Sequence, residues 1–192
     1  MKNTIKITFT GILIALMFVL SWTVLGMIPL GVASATTVFV PLCIGIVICD
    51  DFRYSLVLGL FFGIVSLIRS FVPQGFLDPY FQNPIVSVLP RFLVGIICHF
   101  IYKGLNKITT KRALAVSLTG ASVALLNTVL TMSTLVLVKY ADVTVSFAEN
   151  GFTVWGALGT IALLNMLPEI VVGAIVPLVI VKVIDKIKYK EA

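Results

Sequence analysis

Apolar residues in this chain come in runs long enough to cross a lipid bilayer, and that fixes the class of fold before any motif is read. About 20 consecutive apolar residues span the hydrocarbon core of a membrane as a helix. Six stretches read as spans: Ile7 to Ile28, Ala35 to Cys49, Tyr54 to Val72, Ile85 to Leu105, Leu114 to Val138 and Trp155 to Ile184. The second is short and carries Pro41, which predicts a tilted or kinked helix. A soluble domain carries charge on about a quarter of its residues. Here the charged share is 11% and the hydrophobic share 59%. The expected fold is an all-α membrane protein, a compact bundle of six transmembrane helices forming a single domain over residues 1–192. The opening segment "MKNTIKITFTGILIALMFVLSW" reads as a permanent helix, because its apolar run is too long for a signal-peptide core and no clean cleavage site follows.

The basic residues orient the bundle. Lys2 and Lys6, Arg53, the group Lys103, Lys107, Lys111 and Arg112, and the C-terminal Lys182, Lys186, Lys188 and Lys190 account for eleven of the fourteen. All eleven fall on one side, against Lys139 on the other. Positive charge marks the cytoplasmic face, so both termini are expected there, with outer connections at 29–34, 73–84 and 139–154. Charge clustered between apolar runs is a topology signal. The net charge of +6 therefore does not indicate a nucleic-acid partner.

Chemistry-bearing residues are sparse. Cys43, Cys49 and Cys98 lie in apolar runs, are odd in number and show no metal-ligand spacing, and His99 is a lone histidine. The chain has no Walker loop and no catalytic triad, so no catalytic residue, metal or cofactor is expected. The polar groups that stand out are those inside spans, where charge is costly and marks function by default. Arg91 lies six residues inside the fourth span, about 9 Å deep. Asn127 and Asn165 fall in the same band of the outer half, and Glu169 lies one helical turn below Asn165 on the same face. One reading is a structural cluster held by an Arg91–Glu169 ion pair. The other is a pocket for a small anionic solute, with Arg91 gripping a carboxylate through its fork of donors, Asn83, Asn127 and Asn165 meeting hydroxyl and amide groups, and Glu169 among the solute-binding residues. Arg69, near the outer end of the third span, either snorkels to the interface or joins the site. The connection "FVPQGFLDPYFQNP" is either an ordinary turn-rich loop or a lid that brings Tyr80, Phe81, Gln82 and Asn83 onto the solute.

Two further stretches complete the pattern. "TGILIALMF" spaces Gly11 and Ala15 by one helical turn, and "LGLFFG" does the same with Gly59 and Gly63. Such spacing lets helices approach closely. With "GLFFGIVSLIRSF" followed by "NPIVSVLPRFLVG", the chain resembles the substrate-binding S component of an energy-coupling factor (ECF) transporter, a bacterial vitamin importer, and is most similar to the pantothenate type. The resemblance covers nearly the whole chain. It implies high-affinity capture of a vitamin at the outer face of the bacterial cell membrane, and assembly with a transmembrane coupling protein (the T component) and two cytoplasmic ATPase subunits that hydrolyse the ATP. It also implies docking through the small-residue face of the first helix, here Gly11 and Ala15, where the family usually has two alanines. Folate and a thiamin pyrimidine precursor are the alternative solutes. Two other classes stand beside this one. A proton-coupled carrier would use Glu169, but no internal repeat supports it. An intramembrane enzyme would need a partner for His99, which the sequence does not reveal.

Overall fold

The computed structural model describes residues 3–30, 33–72, 77–149, 151 and 153–190. Helix α1 covers Asn3–Ser21 and is followed by a turn and a two-stranded antiparallel hairpin, β1 (Met27–Leu30) and β2 (Ala33–Thr36). Then come α2 (Val40–Cys49), α3 (Phe52–Ser70), a 3-10 helix over Asp78–Gln82, α4 (Pro84–Ile108), α5 (Arg112–Glu149) and α6 (Val154–Lys190). Five of these helices are long and apolar enough to cross a membrane: α1, α3, α4, α5 and α6.

The second expected span is the short helix α2, so five long helices and one shorter apolar helix stand where six spans were expected. The ten residues of α2 rise about 15 Å, half of a hydrocarbon core about 30 Å thick. Residues expected at the start of that span form β2 instead. Pro41 does not kink the helix, because it sits in the first turn, where its missing N–H leaves no hydrogen bond unmade. All ten residues of α2 are buried, and α2 packs against each of the five long helices. It is the centre of the bundle, with α1, α3, α4, α5 and α6 following one another around it. Phe39, Leu42, Ile44 and Ile46 form the heart of the core with Met17, Leu58, Val94 and Val123. The outward faces carry exposed apolar side chains such as Ile12, Leu16, Val171 and Ile175, as lipid-facing surfaces require.

Two other boundaries differ from expectation. α1 stops at Ser21 rather than Ile28. The Ser21 hydroxyl turns back onto the Met17 carbonyl (2.9 Å), and the chain then folds through hydrogen-bonded turns to Gly26, where a side chain would strike the Leu20 carbonyl. At the same end, the connection expected over 139–154 is mostly helix. α5 bends at Lys139 (φ −127°, ψ 23°) and continues to Glu149. Val143 and Phe147, one turn apart, are the reason: both bury against Leu77, Val86, Leu135 and Leu158.

The end of the bundle that carries the chain termini is tied by Lys6–Asp51 (3.3 Å) and Arg112–Asp185 (2.9 Å). Asp51 also caps α3 by accepting from the Arg53 amide (3.1 Å). That hydrogen bond, helped by Lys6, holds its carboxyl below the usual carboxylate range. The hairpin, the 3-10 helix and the end of α5 gather at the opposite end.

Candidate functional site

The site begins with a proline. Pro90 lies inside α4 and has no N–H to give to the carbonyl of Val86 four residues back. The next residue answers that deficit. Arg91 Nη1 donates to the Ser87 carbonyl (2.8 Å) and reaches the Val86 carbonyl (3.4 Å). Two aromatic rings flank its guanidinium, Phe62 of α3 at 5.7 Å and Phe81 of the 3-10 helix at 5.4 Å. Phe81 is fixed in turn, because the Ser87 hydroxyl donates to its carbonyl. The group is thus held by hydrogen bonds through Nη1 and lies over two aromatic rings. Its Nε–H, buried, has no hydrogen-bond partner among the described residues.

Unpartnered polar atoms recur on the neighbouring helices. Asn127 Oδ1 and Thr131 Oγ1 of α5, one turn apart, and Asn165 Oδ1 of α6 are all buried and lack a partner among the described residues. Each such group costs about 1–3 kcal/mol when left unmade. Four such atoms lie on three helices that pack in sequence, α4 against α5 and α5 against α6, and a fifth, His99 Nε2, lies further along α4. The four comprise one cationic donor and three oxygens, of which the Thr131 hydroxyl can donate as well as accept.

Glu169 belongs to the same region, yet it does not pair directly with Arg91. The two charges attract each other, but no contact joins them. Ion pairs among the described residues include Lys6–Asp51, Arg112–Asp185 and Lys139–Asp142, and none of these involves Glu169 or Arg91. Glu169 Oε1 accepts from the Thr36 backbone amide (2.9 Å) and Oε2 from the Thr128 hydroxyl (3.2 Å). The ion-pair form of the structural reading is therefore corrected.

The remaining candidates divide. Asn83 caps α4, accepting from the Ile85 amide (2.9 Å), which engages its side-chain oxygen. Tyr80 is half-buried, with its hydroxyl 3.5 Å from the Asp142 carbonyl, and packs with Phe81 on the second apolar cluster. Gln82 is exposed and donates to the Ser70 carbonyl (3.3 Å). The loop section 73–76 lies outside the described residues. Arg69 is not part of the band. It is buried at the junction of α3 and α1, donates to the carbonyls of Ser21 (3.1 Å) and Val72, and lies over the Trp22 ring. Thr131 and Phe62 were not singled out from the sequence. Threonine and phenylalanine are common in apolar helices, and only their registers relative to Asn127 and Arg91 mark them.

His99, which the sequence left without a partner, has one. Its Nδ1 lies 3.0 Å from the Ser55 hydroxyl, both residues fully buried between α3 and α4. The pair lies eight residues from Arg91 along α4, about 12 Å, towards the end with the termini. His99→Ala is expected to lower stability by about 1–3 kcal/mol through the lost packing, while the affinity for any solute of the Arg91 band stays unchanged. Titration of the purified variant beside the parent checks both.

With this geometry in place, comparison with known families decides the class. The description "ECF transporter, substrate-specific component" matches residues 5–184. The chain belongs to that family. No curated protein matches the chain. ECF substrate-specific components are transport subunits that work with a T component and ATPase subunits. In this S component the expected docking residues, Gly11 and Ala15, lie exposed on the outward face of α1. A side-chain carbon built on Gly11 meets no atom within 4 Å, so that patch of the S component is open to a partner helix.

Proposed function

We propose that this chain captures a carboxylate-bearing vitamin, pantothenate first among the candidates, for an ECF importer in a bacterial cell membrane. In this reading the termini face the cytoplasm, and a T component and two ATPase subunits drive uptake. The observation that carries it is the set of buried polar atoms without partners among the described residues on α4, α5 and α6: Arg91 Nε, Asn127 Oδ1, Thr131 Oγ1 and Asn165 Oδ1. The Nε–H edge of Arg91 suits a carboxylate, while Asn127, Thr131 and Asn165 suit hydroxyl and amide N–H donors. Pantothenate has all three kinds of group. The Phe62 and Phe81 rings beside Arg91 make its surroundings apolar, which strengthens a charged contact there. Asn83, Tyr80, Gln82 and the rest of the 3-10 segment would serve as cover more than as direct ligands.

The test is equilibrium binding of labelled pantothenate to the detergent-purified chain, with folate and a thiamin pyrimidine as competitors. Saturable sub-micromolar binding that neither competitor displaces is expected. A folded chain that binds none overturns the pantothenate assignment, and tight binding of a competitor replaces it.

Docking has its own prediction. Gly11→Leu places a bulky side chain where nothing within this chain opposes it. Co-purification with the T component and ATPases should be lost while pantothenate binding by the isolated chain persists. Loss of both would show that α1 is needed for folding instead.

A further inference from the structure

Glu169 stands at a junction of three elements far apart in sequence. It is buried on α6, and its two oxygens are taken by donors from different places: the backbone amide of Thr36, the last residue of β2, and the hydroxyl of Thr128 on α5. An ionised carboxylate only accepts hydrogen bonds, and here each oxygen has a donor. Thr36 is also the base of the hairpin, paired in register with Met27. Its hydroxyl donates to the Gly26 carbonyl (3.2 Å), and the next residue, Thr37, donates to Gly26 (2.9 Å) and Leu25 (2.7 Å). One amide therefore ties both strands of the hairpin to the α5–α6 pair.

We propose that Glu169 is a positioning residue that latches the β1–β2 hairpin onto α5 and α6, rather than a group that touches solute. Its place gives the latch a consequence. Asn165 lies one turn above Glu169, and Asn127 is the neighbour of Thr128, so the amides of the solute site sit on the same helical turns that hold the hairpin. That consequence rests on the solute site proposed above, whereas the latch itself does not.

The test reads the hairpin without any solute. Spin labels are placed at Ala33→Cys in the hairpin and Leu137→Cys on the exposed face of α5, with a control pair at Val57→Cys on the exposed side of α3 and Leu137→Cys. Glu169→Ala is expected to lengthen and broaden the hairpin spacing, with the open population rising about tenfold for each hydrogen bond lost. Thr128→Val should do the same to a smaller degree. Glu169→Gln should restore a spacing close to the parent, because a carboxamide still accepts from the Thr36 amide and donates to the Thr128 oxygen. The control spacing should not move. If Glu169→Ala disturbs the control as well, Thr128→Val and Glu169→Gln decide the matter. An unchanged hairpin in Glu169→Ala, or in Thr128→Val where that variant decides, overturns the latch. Loss of pantothenate binding with an unmoved hairpin would instead make Glu169 a direct solute contact. Failure of the parent chain to bind pantothenate falls on the transport reading alone.

Discussion

Arg91→Ala is expected to weaken pantothenate binding by about 100-fold or more, the loss of a hydrogen-bonded charge contact worth roughly 3 kcal/mol. Arg91→Lys should recover only part of it, since a point charge cannot reproduce a planar fork. Arg91 has a second task that must be separated from the first. It serves the carbonyl that Pro90 leaves unmatched, so the alanine variant also exposes a defect in α4. The double change Pro90→Ala with Arg91→Ala restores an amide to meet Val86 and repairs the helix without returning the charge. Titration calorimetry on the parent, the single variants and the double variant separates the two tasks. Affinity lost in both Arg91→Ala backgrounds assigns the effect to the solute. Affinity regained in the double variant would make Arg91 a helix-repair residue and sink the carboxylate contact.

The largest effect on stability is expected at Gly120. A methyl group there would lie 1.8 Å from the Gly173 carbonyl oxygen, and one at Gly173 would lie 2.5 Å from the Gly120 oxygen. The two helices touch backbone to backbone at this crossing, with Cys43 and Phe39 of the central segment behind it. Gly120→Ala can be accommodated only if α5 and α6 separate, which also loosens the Thr128–Glu169 bond between them. Overpacking of this kind costs about 3 kcal/mol, or a fall of about 10 °C in melting temperature for a chain of this size. Gly104→Ala and Gly159→Ala are the internal controls. Both glycines are helical and have no atom within 4 Å of the added carbon, so alanine should leave the melting temperature unchanged or raise it. A Gly120→Ala variant that melts with the parent would mean that the α5–α6 crossing is softer than its geometry.

How much of this was legible in the sequence depends on the residue. Long apolar runs announce themselves, so five helices and their order were readable, and Arg91, Asn127 and Asn165 stood out as charge and amide groups placed where they are costly. What remained hidden was pairwise. That His99 meets Ser55, that Glu169 reaches back to Thr36, and that Arg69 serves Ser21 all depend on contacts across 44, 133 and 48 residues, which no local spacing encodes. Pro41 misled for a different reason. A proline inside an apolar run predicts a kink only if the helix has already begun, and here it begins at Val40. The extension of α5 past Lys139 was masked by polar residues, although Val143 and Phe147 keep the helical spacing of a buried face.

The brevity of α2 bears on how the chain is assembled. Five segments can each enter a bilayer alone, since each is long enough to satisfy its own backbone within it. A helix of about 15 Å has no such independence. Lipid would meet its ends, and its side chains are suited to five protein neighbours instead of acyl chains. Because the hairpin lies at one end of the bundle and Asp51, just past α2, is tied to Lys6 at the other, the hairpin and α2 together cross as one unit, whose helical part is held by its five protein neighbours. The middle of the bundle is thus the part that depends most on its neighbours, since each of the five outer helices covers a share of it.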